Sequence, residues 1–157
     1  HNFNFNVHGW SRTKKVSPYF ISHHGSTGLN KILSLSEIIV LLLPLTPRTR
    51  FILDKNSIKK LKDGVIIMNP GRGELINDND LLEALNSQKV KHATLDVFSK
   101  EPLPVAHPFW KHKKITITPH IAATTRPNSA SLVIATNISK IRNGLIPEGL
   151  VNMKTFY

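Results

Sequence analysis

Val65-Ile66-Ile67-Met68-Asn69-Pro70-Gly71-Arg72-Gly73 is a short apolar run that breaks into a glycine-flanked turn carrying an arginine. A run of this length, preceded by Gly64, reads as a buried strand rather than a helix. Two later runs end in the same way. Val90 to Val97 leads through Phe98-Ser99-Lys100 to Glu101-Pro102, and Ile115 to Thr118 leads to Pro119-His120. In an open parallel sheet, ligands bind in the crevice at the carboxyl ends of the strands. An arginine, a glutamate and a histidine delivered there form an acid–base and anion-binding set. A guanidinium clamps a carboxylate, an imidazole shuttles a proton, and a carboxylate favours the charged imidazole.

Working outward, strand-like runs alternate with helical patterns. Phe3 to Trp10 alternates apolar and polar residues, a period-two signal. Lys31 to Leu35 reads as the end of a short helix. Ile38 to Leu43 is a continuous apolar run, expected for a strand covered on both faces. Asp54 to Leu61 is a helix with Asp54 as its N-cap, and Asn77-Asp78-Asn79-Asp80 caps a second helix through Leu85. A long helix runs from Pro127 to about Asn143, with Gly144 as its stop. This alternation predicts an α/β fold with a doubly wound parallel sheet.

Nucleotide-binding folds of this type carry Gly-x-Gly-x-x-Gly in their first strand–helix turn. The sequence has none: Gly25-Ser26-Thr27-Gly28 follows no apolar strand, and Gly71-Arg72-Gly73 has the wrong spacing. The pattern therefore reads as a Rossmann-like domain entered at its second strand, lacking the first strand and the glycine-rich turn.

Composition bounds the function. The chain has 157 residues, 40% of them hydrophobic, enough for one packed domain. No apolar run is long enough to span a bilayer, and the start lacks the basic lead and apolar core of a signal peptide. Zero cysteines exclude disulfides, thiolate metal sites and a cysteine nucleophile, which fits a cytoplasmic setting. The 21 basic residues against 10 acidic give a net charge of +11. Such a field suits nucleic acid or small anionic substrates and cofactors. The residues are dispersed, however, with no basic stretch interleaved with aromatics, so a solvated Lys-rich surface explains most of the charge better than nucleic-acid binding does. His23, His24, His107 and His112 lack metal-ligand spacing and read as surface or loop residues.

The strand-end segments resemble a known family. Asn69-Pro70-Gly71-Arg72-Gly73, Leu95-Asp96-Val97-Phe98 with Glu101-Pro102, and Pro119-His120-Ile121-Ala122 are similar to the signatures of the D-isomer-specific 2-hydroxyacid dehydrogenases. Asp96 to Pro104, Pro108-Phe109-Trp110 and Thr118 to Pro127 look like the bacterial glyoxylate/hydroxypyruvate reductase A type. The resemblance covers the carboxyl-terminal half of such an enzyme. It implies a partial NAD(P)-binding domain over residues 1–122. Residues 123–157 would supply a crossing helix and a tail returning toward the substrate domain.

The resemblance implies that Arg72 holds the carboxylate of a small 2-oxoacid and polarises its carbonyl. His120 donates the proton as hydride arrives, and Glu101 keeps His120 protonated and oriented. Singly, Arg72 reads also as a solvent arginine in a glycine turn, Glu101 as an ordinary exposed acid and His120 as a satisfied loop histidine; the ordered set carries the catalytic reading. On the cofactor side, Asp96 matches the residue that bonds the nicotinamide carboxamide, with a strand-end cap as its alternative. Leu43, Pro44 and Thr49 match the segment lining the ribose region, and Asn69 and Pro70 match the turn beneath the nicotinamide. Arg126 either contacts substrate or caps the following helix, and Trp110 either meets another subunit or fills core. The full-length form is expected to be a homodimer.

Trp10-Ser11-Arg12-Thr13-Lys14-Lys15 bears on cofactor choice. NAD-specific folds place an acid at the end of the second strand to bond the ribose 2′-hydroxyl. No acid occurs before Glu37, whereas Ser11 and Arg12 suit a 2′-phosphate and Lys14 or Lys15 adds charge. NADPH is thus expected over NADH, with a basic surface turn as the alternative. Two rival readings remain: a non-catalytic, dehydrogenase-like nucleotide-binding or regulatory protein, and an inactive truncated fragment. In the family's strand order the first strand lies between the second and fourth. Its absence predicts that these 157 residues, expressed alone, fold poorly or aggregate and do not reduce glyoxylate. A cooperative melt together with NADPH-dependent turnover would contradict this.

Overall fold

The structure, a computed structural model, describes residues 4–154. The chain divides into two compact units, His1–Pro119 and His120–Tyr157. In the first, β1 (His8–Ser11) pairs in parallel with β2 (Ile21–His24), and α1 (Gly25–Leu35) follows directly. A second parallel sheet has the order β3 (Ile38–Val40), β4 (Val65–Asn69), β5 (Val90–Leu95), β6 (Ile115–Ile117). Between these strands lie α2 (Lys55–Lys59) and α3 (Asp78–Asn86). The second unit holds α4 (Pro127–Arg142), which buries no residue. The architecture is Rossmann-like, with parallel strands and flanking helices.

Sequence and helix ends agree closely. The Asp54 carboxylate accepts from the Ser57 amide at 2.8 Å, and the Ser57 hydroxyl accepts from the Asp54 amide at 2.8 Å. That reciprocal pair is a capping box, and it satisfies two otherwise orphaned donors. Asn77 caps α3 by accepting from Asn79 and Asp80. Gly144, with φ of 69°, follows α4 in the left-handed conformation that glycine adopts without a Cβ penalty.

The strand register separates two faces. Ile39, Ile67, Ala93 and Ile115 form one row across the sheet, packed with Ile58 and Leu61 after α2 begins and with Leu81 and Leu85 of α3. Val40, Met68, Thr94 and Thr116 form the next row on the opposite face, where Val40 and Met68 are exposed. Ile38 to Leu43 is therefore not a strand covered on both faces. Its regular part is Ile38–Val40, which among the described residues pairs with β4 and no other strand, and Ile38 is 42% exposed. No strand pairs β1 with β3 among the described residues.

The amino-terminal strand is also shorter than its alternation suggests. Only His8–Ser11 is regular; Asn4–Val7 lies outside it, and Phe3 lies outside the described residues. β2 has no apolar run to announce it, because its Ile21-Ser22-His23-His24 is half polar. His23 is not a surface residue. It is buried, with its Nε2 2.8 Å from Nδ1 of His8 and the two rings stacked. Burial, then the neighbouring His8 and Lys31, pushes the His23 pKa down.

Asp54→Ala should cost about 1 kcal/mol of stability, the usual worth of such a cap. Hydrogen bonding from the Ser57 amide, foremost among its contacts, holds the Asp54 carboxyl below its ordinary range. The contribution is thus full above about pH 4, the ordinary aspartate range, and is lost as pH falls through the lowered folded value. Denaturant titrations of wild type and variant at pH 7 and pH 3 check this: the difference should shrink at the lower pH.

Candidate active site

Asn69, the last residue of β4, is 1% exposed and organises the turn that follows. Its side-chain amide donates to the Arg72 carbonyl at 2.9 Å, and its Oδ1 accepts from the Gly71 amide at 3.1 Å. Arg72 itself is extended and exposed, with Nη1 donating to the Gly71 carbonyl at 2.7 Å. A 3₁₀ turn over Gly73–Leu75 then carries the chain away.

Neighbouring strand ends are tied in series. The Asp96 amide donates to the Asn69 carbonyl at 3.1 Å, and the Thr118 amide donates to the Leu95 carbonyl at 3.0 Å. Asp96 is 4% exposed, and the Thr118 hydroxyl donates to its Oδ1. That buried carboxylate is satisfied by the end of β6, as buried charge requires. Glu101, exposed on the loop after β5, accepts from the Phe98 amide through Oε1 at 2.9 Å, and the Glu101–Pro102 peptide is cis.

Gly73 joins the Arg72 turn to the Glu101 loop. A Cβ placed there would run into the Phe98 carbonyl group and the Ser99 amide nitrogen. Only a residue with no side chain lets the two backbones pack this closely. Arg72 and Glu101 therefore lie on loops in direct contact. His120 is the first residue of the second unit, two positions after Thr118. Its φ of 55° lies in the left-handed region, which for a residue other than glycine costs on the order of 1–3 kcal/mol and is concentrated at functional sites.

On the cofactor side, Ser11 ends β1, and Arg12, Lys14 and Lys15 are exposed just beyond it. The Ser11 hydroxyl donates to the Thr13 carbonyl at 2.6 Å, so it shapes the basic turn and must rotate to donate elsewhere. Leu43 is half-buried, Pro44 is exposed, and Pro70 is half-buried. Thr49 donates to the Pro44 carbonyl at 2.7 Å and accepts from the Thr46 amide at 2.8 Å, closing this segment on itself. Trp110 is exposed rather than core-filling, with its indole nitrogen donating to the Pro104 carbonyl. Arg126 makes no side-chain cap bond to α4.

Three arrangements escaped the sequence reading: the Thr118–Asp96 bond, the His8–His23 pair, and a cluster of Asp78, Ser99 and His107. His107, far from being a plain loop residue, faces the Asp78 carboxylate at 3.6 Å. These partners are 15 to 29 residues apart, so no local spacing reveals them. No group of three His, Asp or Glu side chains is arranged to hold a metal ion among the described residues. No helix there is long and apolar enough to cross a membrane.

Residues 1–122 match the family described as D-isomer specific 2-hydroxyacid dehydrogenase, NAD binding domain. The chain belongs to that family. It is 42% identical over 153 residues to glyoxylate/hydroxypyruvate reductase A of Photorhabdus laumondii, covering 98% of this chain and 49% of that protein. It superposes with a TM-score of 0.96 on a D-isomer specific 2-hydroxyacid dehydrogenase from Xanthobacter autotrophicus in complex with NADPH. The two are 37% identical, with 99% of this chain and 64% of that one covered. An NADPH-dependent glyoxylate/hydroxypyruvate reductase from Sinorhizobium meliloti, bound to NADP and sulfate, gives a TM-score of 0.93. It is 33% identical, with 99% of this chain and 51% of that one covered. The chain thus spans about half the length of the curated relative it matches.

Gly73→Ala should lower stability by about 1–3 kcal/mol, the usual cost of overpacking a close contact. Denaturant unfolding reads this directly. A variant as stable as wild type would show that the two loops are not packed backbone to backbone.

Proposed function

We propose that this chain is the cofactor-binding part of an NADPH-dependent reductase of small 2-oxoacids, of the glyoxylate/hydroxypyruvate type. The observation that carries the reading is the Gly73 contact, which couples the Arg72 turn to the Glu101 loop at the ends of adjacent strands. The resemblance and the similar reductases named above support it. The activity belongs to a full-length protein in which this chain is joined to the part of its relatives' length that it does not cover. Residues 1–122 form the partial nucleotide-binding domain. Residues 123–157 form the crossing helix and the tail toward the substrate domain.

The residues present fit a dinucleotide phosphate. Arg12, Lys14 and Lys15 are exposed cations at the end of β1, with no acid in the segment that would contest a 2′-phosphate. A dinucleotide held by this turn through its 2′-phosphate would supply the hydride from its nicotinamide. Asp96, held by Thr118, accepts from the carboxamide, while Asn69 and Pro70 form the floor of that subsite. Leu43, Pro44 and Thr49 line the ribose region. Arg72 clamps the substrate carboxylate and polarises the carbonyl. His120 gives its proton to the carbonyl oxygen, and Glu101 fixes the orientation and charge of the imidazole. The protein acts in the cytoplasm as a homodimer, with neither nucleic acid nor membrane as a partner.

Cofactor choice tests the basic turn. A charge-assisted hydrogen bond is worth about 1.5–3 kcal/mol, so Arg12→Ala in the full-length protein should weaken NADPH binding roughly 10- to 100-fold while leaving NADH binding unchanged. Titration of cofactor fluorescence checks this. Equal use of NADH and NADPH by wild type would contradict the assignment.

A further inference from the structure

The loop that carries Glu101 is anchored at both ends to one carboxylate that the mechanism above does not use. Asp78 opens α3, but it is not the helix cap; Asn77 already fills that role. Its side chain is half-buried and faces the loop. Ser99, two residues before Glu101, has its hydroxyl 3.4 Å from each Asp78 oxygen. His107, six residues after Glu101, places Nε2 3.6 Å from Asp78 Oδ2.

The imidazole is itself held for this contact. Its Nδ1 accepts from the Phe109 amide at 3.3 Å, so the neutral ring carries its proton on Nε2, the atom that faces Asp78. The ring also meets Phe109 edge-on with centroids 4.4 Å apart, and Phe109 is 2% exposed in the core. Burial pushes the Asp78 carboxyl up, while His107 and Ser99 oppose that shift. A carboxylate kept partly from water and turned toward two points of a single loop acts as a clamp on it.

We propose that Asp78 is a positioning residue for Glu101, clamping both ends of its loop onto α3 through Ser99 and His107. The inference rests on the assignment of Glu101 above. A loop held at both ends keeps the Glu101 carboxylate fixed relative to the strand ends it follows. Small losses of alignment reduce turnover, while the basic turn after β1 proposed to hold the cofactor phosphate lies on a different strand and is untouched.

A double-mutant cycle in the full-length protein tests this. Asp78→Ala should lower kcat roughly 10- to 100-fold, the scale of a small misplacement of a reacting group, with KM for NADPH unchanged. Asp78→Glu should recover most of the loss. His107→Gln, which leaves α3 intact, should lower kcat in the same direction. In a Glu101→Gln background, Asp78→Ala should have no further effect, because the residue it positions is gone. An equal loss in both backgrounds would make Asp78 merely structural and overturn the proposal, as would an unchanged kcat. A Glu101→Gln protein with full activity would instead overturn the role of Glu101.

Discussion

Backbone meets backbone where the turn after β4 meets the loop after β5, and only a residue without a side chain, Gly73, fits there. This contact makes two separate strand ends into one surface. Hydrogen bonds extend it: Asn69 folds the Arg72 turn, its carbonyl receives the Asp96 amide, and Asp96 in turn receives the Thr118 hydroxyl. Arg72, Asp96, Glu101 and Thr118 therefore share a single rigid framework set by parallel pairing of β4, β5 and β6. The chemistry proposed for them follows from that framework, since preorganised groups need no rearrangement when a substrate arrives.

The same framework is one-sided within its unit. The face packed by α2 and α3 is dry, whereas Ile38, Val40 and Met68 leave an apolar stripe on the opposite face. Parallel strands are ordinarily buried on both faces. Among the described residues β3 is also an edge, with β4 as its one neighbour. The exposed apolar row and the unpaired edge of β3 lie in a chain that covers 49% of its Photorhabdus relative.

Strong local signals were legible in the sequence. β4 and β5 announce themselves as apolar runs closed by turn residues, and Asp54, Asn77 and Gly144 mark helix ends through their own backbone chemistry. The positions of Arg72 and Glu101 after those strands followed directly. What was not legible depends on partners far along the chain. β2 lacks an apolar run: among the described residues it pairs with β1 and no other strand, and it holds polar His23 against Gly28 of α1. The exposure of Ile38 was missed because an apolar run says nothing of whether its neighbours are present. Asp78 reads as one more acid in a capping cluster until the fold brings Ser99 and His107 to it.

The central claim is that ligand chemistry takes place at the carboxyl ends of these strands. Amide chemical-shift mapping of the full-length protein during titration with NADPH tests it most directly. Within the residues of this chain, the account predicts shifts confined to Ser11–Lys15, residues 43–49, Asn69–Gly73 and Asp96–Glu101, with the segment around His120. Shifts centred instead on the opposite strand ends, at Gly64, Lys89 and Lys114, would contradict it.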